Sequence, residues 1–277
     1  MTAMKQLLRV LLLWRLLLFI FLSGCASSQQ YVMLSRDGAA YSGSVATLAD
    51  RASAVRVESS SYSLLLQRDE LPRKYKGQIL NNALRETLKQ ANQSDLGAIE
   101  NNHQTKNVAL ALQNYFIALQ ELAASTAPVD IGSKTSEIMA KLDEAMKARN
   151  RGSFSLPLPV VPVIVTHITD RALRKELTSR RQSVLSALDI LDGLLITISR
   201  DIDGQTRNIR KARAALLIQP TIIQGSGLSL SDKELWVTLR KKDILGSTTE
   251  SDDQKAIIAA KADGRHFREL FTNMTSK

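Results

Sequence analysis

Three histidines, one cysteine and two groups of basic residues are the side chains in this chain whose types and spacing could do chemistry. The histidines are His103, His167 and His266. None has a second histidine three or four residues away, so the helical zinc pair, which needs two imidazoles on one face, is not visible. His167 follows Val163-Ile-Val-Thr and reads as a core histidine; His103 and His266 read as surface residues. There is no G-x-S-x-G elbow, phosphate-binding loop or dinucleotide fingerprint, and Gly225-Ser226-Gly227 is only a turn-like fragment. No catalytic residue, metal site or cofactor is therefore expected. Only a histidine converging with two carboxylates in the fold would revive an enzyme.

The basic residues are more suggestive. Between 171 and 213 stand Arg171, Arg174, Lys175, Arg180, Arg181, Arg200, Arg207, Arg210, Lys211 and Arg213, opposed by Glu176, Asp189, Asp192, Asp201 and Asp203. They fall into two clusters, 171–181 and 207–213, which suit an anionic surface such as phospholipid head groups, lipopolysaccharide phosphates or an acidic protein. A solvated helix face accounts for the same pattern.

Cys25 is the only cysteine in 277 residues, and its surroundings are specific. Lys5 and Arg9 precede an apolar run, Leu16 to Leu22, and Ser23 and Gly24 are small. Arg15 interrupts the longer run from Leu7. A membrane span needs about 20 apolar residues, and a central arginine costs about 2.5–3.5 kcal/mol on insertion scales. The segment fits a signal peptide better. Leu22-Ser23-Gly24-Cys25 resembles a bacterial lipobox, a resemblance confined to the N-terminal segment. It implies residues 1–24 as a signal peptide, a covalent lipid on Cys25 and a membrane anchor. Ala26, where an aspartate would favour inner-membrane retention, implies an outer-membrane anchor facing the periplasm. Cleavage there removes three cations and no acid, taking the formal charge from +10 to +7. Export also takes the chain away from nucleic acid.

These residues need elements to hold them. Residues 25–40 are small and polar and read as a tether. From Tyr41 the apolar pattern turns helical: Tyr41, Val45, Leu48, Ala52, Val55, Tyr62 and Leu66 keep a 4-3 register, with Ser59 at the missing step. Leu71-Pro72 is expected to end this helix. A second begins near Tyr75 with Leu80, Leu84, Leu88 and Ala91, and the polar stretch 92–106 loosens or breaks it. A third stripe is Val108, Leu112, Tyr115, Leu119 and Leu122; a shorter helix from Lys134 to Ala148 uses Ile138, Leu142 and Ala145.

Residues 151–162, with Gly152, Pro157, Pro159 and Pro162, read as a linker between helical subdomains 41–150 and 163–277, which either stand apart or form one bundle. The apolar segment Phe154 to Ile168 is either a docking loop or a buried connection. A long heptad-patterned helix around 170–218 carries Val184, Leu188, Leu191, Leu195, Ile198, Ile202, Gln205, Ile209, Ala212 and Leu216. Its seam serves internal packing or a homo-oligomer contact; spacing alone does not separate the two. Pro220 is expected to end it, Ser231-Asp-Lys-Glu234 to cap a short helix with Leu235, Trp236 and Leu239, and Gly246–Asp253 to form a flexible stretch before a last helix carrying Phe267, Phe271 and Met274.

The expected fold is an all-α multi-helix bundle. The expected role is a lipid-anchored, periplasm-facing scaffold or accessory protein that binds an envelope protein. An immunity or inhibitor lipoprotein neutralising a periplasmic toxin or enzyme is the alternative, and an envelope-acting enzyme a third.

Overall fold

The computed structural model describes the backbone of residues 2–124, 131–149, 170–223, 229–248 and 251–276, and most of their side chains from residue 29 onward. The lipobox side chains, Cys25 among them, the 151–162 linker, the Phe154–Ile168 segment, His167 and the Gly225–Gly227 turn lie outside the described residues. Among the described residues every regular element is helical: α1 (Thr2–Lys74), α2 (Gly77–Ala124), α3 (Ile131–Arg149), α4 (Asp170–Arg213), a π-helical turn (Ala214–Ile218), α5 (Gln219–Ile223), α6 (Leu230–Thr248) and α7 (Asp252–Thr275). The chain is an all-α multi-helix bundle.

Its compact units are not the sequential halves 41–150 and 163–277. One unit takes Met1–Ser42, Leu110–Leu188 and Asp263–Lys277; the other takes Gly43–Ala109 and Asp189–Ala262. Helices α1, α2, α4 and α7 therefore supply residues to both.

In the first unit the expected tether is part of α1. Tyr31, Leu34 and Ser35 are buried there, so the stretch between Cys25 and Tyr41 contributes core rather than spacer. Short serines and alanines mask the few apolar positions that matter. Around them Phe116, Phe267 and Phe271, all fully buried, form a cluster in which Phe116 meets Phe267 edge-on at 4.9 Å between ring centres. Edge-to-face contacts of this kind add about 0.5–1.5 kcal/mol beyond area burial. Two glycines permit the approach. A Cβ on Gly38 would stand 2.7 Å from the Phe116 ring, and one on Gly264 would stand 2.6 Å from the Tyr41 ring. On α3 the buried positions are Met139, Leu142 and Met146. Ile138 and Ala145, expected on the buried face, are half-exposed.

In the second unit α2 runs unbroken through residues 92–106. The polar residues there are not loop formers, because α1 supplies partners for them. Asp95 is 8% exposed, accepts from Arg56 Nε at 2.8 Å and takes a short hydrogen bond from the Ser60 hydroxyl. Asn102 Nδ2 donates to Ser53 Oγ at 3.1 Å, and Lys106 Nζ reaches Asp50 at 2.7 Å. Such pairs let a polar helix face pack.

Proline also interrupts less than expected. Pro72 lies within α1, which closes two residues later, and Pro220 lies within α5. Before Pro220 the helix widens into a π turn, closed by the Gln219 amide on the Ala214 carbonyl. A wider turn relieves the clash between the proline ring and the carbonyl four residues earlier. The α4 seam is core: Val184, Leu188, Leu191, Leu195, Ile198, Ile202, Ile209 and Ala212 are all buried, and only Gln205 and Leu216 remain half-exposed. By length and composition Arg171–Ile218 could cross a membrane, but its apolar side chains are the ones spent on this core. Caps are set by serines. Ser229, rather than Ser231, caps α6 by accepting from the Asp232 amide at 3.1 Å. Ser251 and Gln254 exchange backbone-to-side-chain bonds of 2.9 and 3.2 Å at the start of α7, a capping box.

Candidate functional site

The basic residues of α4 do not form one surface. In the first cluster Arg171, Arg174 and Lys175 are exposed. Arg180 is 3% exposed, pairs with Glu176 at 3.2 Å and donates to Ser136 Oγ, so it stabilises the interior rather than facing a ligand. Arg181 is half-buried and donates to Thr275 Oγ1.

The second cluster, in the other unit, is divided the same way. Arg207 and Lys211 are exposed, and Arg210 is half-buried with Nη1 donating to the Gly246 carbonyl at 2.9 Å. Arg213 is 5% exposed and faces inward. Its guanidinium meets Asp243 Oδ1 at 2.8 Å and Glu58 at 3.5 Å, and lies 5.5 Å above the centre of the Tyr62 ring. Burial works against its charge, but Tyr62 and Asp243 outweigh burial and hold its pKa above the ordinary arginine value. Arg180 and Arg213 thus leave the expected anion-binding set, because each is needed by a buried carboxylate. Removing one partner of such a pair strands the other.

Asp243 lines two clefts, and Arg213 lines the first of them. The first, about 550 Å³, is charged, with Arg51, Arg210 and Lys242 facing Glu58, Asp252 and Asp253. There Asp253 accepts a hydrogen bond from Arg51 Nε at 2.8 Å and raises the Arg51 pKa. The second, also about 550 Å³, is mostly apolar, with Ala214, Ile218 and Ile244 along it and Arg207, Lys211 and Arg240 at its edge. Arg210 and Asp243 line both. The π turn supplies Ala214 and Ile218, and the Ile218 carbonyl accepts from Trp236 Nε1 at 3.1 Å. Asp243 leaves one carboxylate oxygen, Oδ2, buried and without a hydrogen-bond partner among the described residues. An unpaired buried acceptor costs about 1–3 kcal/mol.

No protein-family model, curated protein or solved structure matches this chain.

Among the described residues no three histidine, cysteine or carboxylate side chains gather as metal ligands. His103 and His266 are both exposed, and His103 Nδ1 lies 3.4 Å from the Asn107 amide. A third crevice, about 350 Å³, is lined by hydroxyls and amides, among them Ser59, Ser63, Gln90 and Gln205. Ser59 and Gln205 are the two polar residues that interrupt the apolar stripes of α1 and α4, so the sequence pattern itself points to this crevice. It does not point to Asp243: one acid among Arg240, Lys241 and Lys242 reads as surface charge until the fold buries it against Arg213.

Proposed function

We propose that this chain is a lipid-anchored helical scaffold or accessory protein, held in the envelope through Cys25 and acting on partner proteins on the periplasmic side. The supporting observation is the set of apolar side chains left exposed on α5 and α6. Ile222 and Ile223 are 64% and 78% exposed, and Leu235 and Val237 are 55% and 56% exposed. Fully covering an aliphatic side chain contributes about 1.5–3 kcal/mol, so this surface has much to gain from a partner.

The test joins anchor and surface. Cys25→Ala in the full chain is expected to stop N-terminal processing and release the protein from the membrane fraction; normal processing with retention would remove the anchor from the proposal. Crosslinking in native envelopes should capture several envelope proteins, or the chain itself. Leu235→Asp and Val237→Asp should abolish that capture while leaving the fold intact. A single secreted partner at one-to-one stoichiometry would replace the scaffold with an inhibitor.

A further inference from the structure

Helix α6 differs from every other long helix of the chain in what holds it. Helices α1 to α4 and α7 each bury apolar side chains. On α6 the described side chains are those of residues 231–246, and none of them is buried; only Trp236, Leu239 and Asp243 are half-buried. Its aliphatic residues are spent on the outside, with Leu235, Val237, Ile244 and Leu245 each more than half exposed.

The contacts that fix α6 are instead polar. Asp243 Oδ1 meets Arg213 at 2.8 Å, the Gly246 carbonyl accepts from Arg210 Nη1 at 2.9 Å, and Trp236 Nε1 donates to the Ile218 carbonyl at 3.1 Å. Each of these bonds replaces one that water would make, so its net contribution is small, whereas apolar burial accumulates with area. Asp243 Oδ2 counts against the closed state, because it is buried without a hydrogen-bond partner among the described residues and regains one when water reaches it. An element with few buried apolar contacts belongs to the low-stability end of a structure and opens before its core does.

Opening has a defined consequence. Arg213 is enclosed by Asp243 of α6 together with Glu58 and Tyr62 of α1. When α6 leaves, Asp243 leaves with it, and the guanidinium meets solvent on the side that α6 covered. We propose that α6 is a latch: Leu230–Thr248 opens as a unit while the α4 seam stays folded, and the opening exposes Arg213 as a cation beside the Tyr62 ring. The closed chain hides this charge and the open chain presents it. The latch rests on side chains of one unit and requires neither a lipid on Cys25 nor a protein bound to α6.

The test is amide hydrogen exchange of the full chain, read by mass spectrometry, together with timed modification of its arginines by phenylglyoxal. Amides of α6 should exchange at least about a hundredfold faster than those of the Val184–Ala212 seam. Arg213 should be modified in step with α6 opening. Arg180, equally buried but paired within α4, should be modified at least about tenfold more slowly. Trp236→Phe keeps a ring and removes the Nε1 donor; it should raise both α6 exchange and Arg213 modification about fivefold, with seam exchange unchanged. Gly246→Ala, with nothing within 4 Å of the added Cβ, should slow both about fivefold. Protection of α6 equal to that of the seam, Arg213 modified no faster than Arg180, or variants that shift seam exchange along with α6 would each overturn the latch.

Discussion

Glycine-to-alanine substitutions within these helices should have opposite signs at different positions, and the structure says which. In an open helix interior alanine is favoured over glycine by about 1 kcal/mol. Gly193 and Gly204 have nothing within 4 Å of an added Cβ, so both should show that gain. At Gly38 the added carbon meets Phe116 at 2.7 Å and Phe267 at 2.8 Å. Carbon atoms prefer about 3.5–4.0 Å, so roughly 1 Å must be found from two rings that are fully buried and braced against each other. Overpacking of this kind costs about 1–3 kcal/mol and occasionally more. Set against the propensity gain, Gly38→Ala should be destabilising by up to about 2 kcal/mol, and Gly264→Ala, 2.6 Å from Tyr41, similarly. At about 2–4 °C per kcal/mol for a chain of this size, the first pair should melt a few degrees higher than the parent and the second pair a few degrees lower. Thermal unfolding followed by far-ultraviolet circular dichroism reads this directly. If all four variants shifted in one direction, intrinsic propensity alone would account for them and the ring packing described here would be refuted.

Tyr115 gives a pH prediction. Burial, and then the Glu176 charge, push its hydroxyl pKa well above the ordinary tyrosine value, and the hydroxyl has no hydrogen-bond partner among the described residues. A group whose pKa is raised in the folded state contributes stability below its unfolded value, about 10, and loses it as pH climbs toward the folded value. Denaturant midpoints should therefore fall above about pH 10, and Tyr115→Phe should flatten that decline while costing little at neutral pH; an equal alkaline decline in the variant would refute the assignment. Leu191, fully buried in the α4 seam, predicts that Leu191→Asp loses several kcal/mol and much of its helical signal. An unchanged melting temperature would show that the seam is not core.

The long seam of α4 is legible in the sequence because its apolar residues recur at a fixed spacing and one helix buries nearly all of them. What periodicity cannot show is where polar residues find partners. Asp95 and Asn102 look like breakers until Arg56, Ser60 and Ser53, about 35–50 residues earlier in the chain, are placed beside them. The tether reading of residues 25–40 fails for a related reason: Tyr31 and Leu34 are too few to make a stripe, yet the fold buries both. Net charge misleads in the same way. Arg180 and Arg213 count with Arg207 and Lys211 in the sequence, but each is claimed by a buried carboxylate. The π turn at Ala214–Ile218, which supplies two residues of the apolar groove, is foretold by no propensity scale.

The aromatic cluster joins residues from widely separated parts of the chain: Gly38 lies under Phe116 and Phe267, and Phe271 lies 6.4 Å from Phe116 between ring centres. During synthesis, then, the nascent chain presents Phe116 long before the rings that cover it have been translated. Until residue 271 leaves the ribosome, this aromatic core has no closing face.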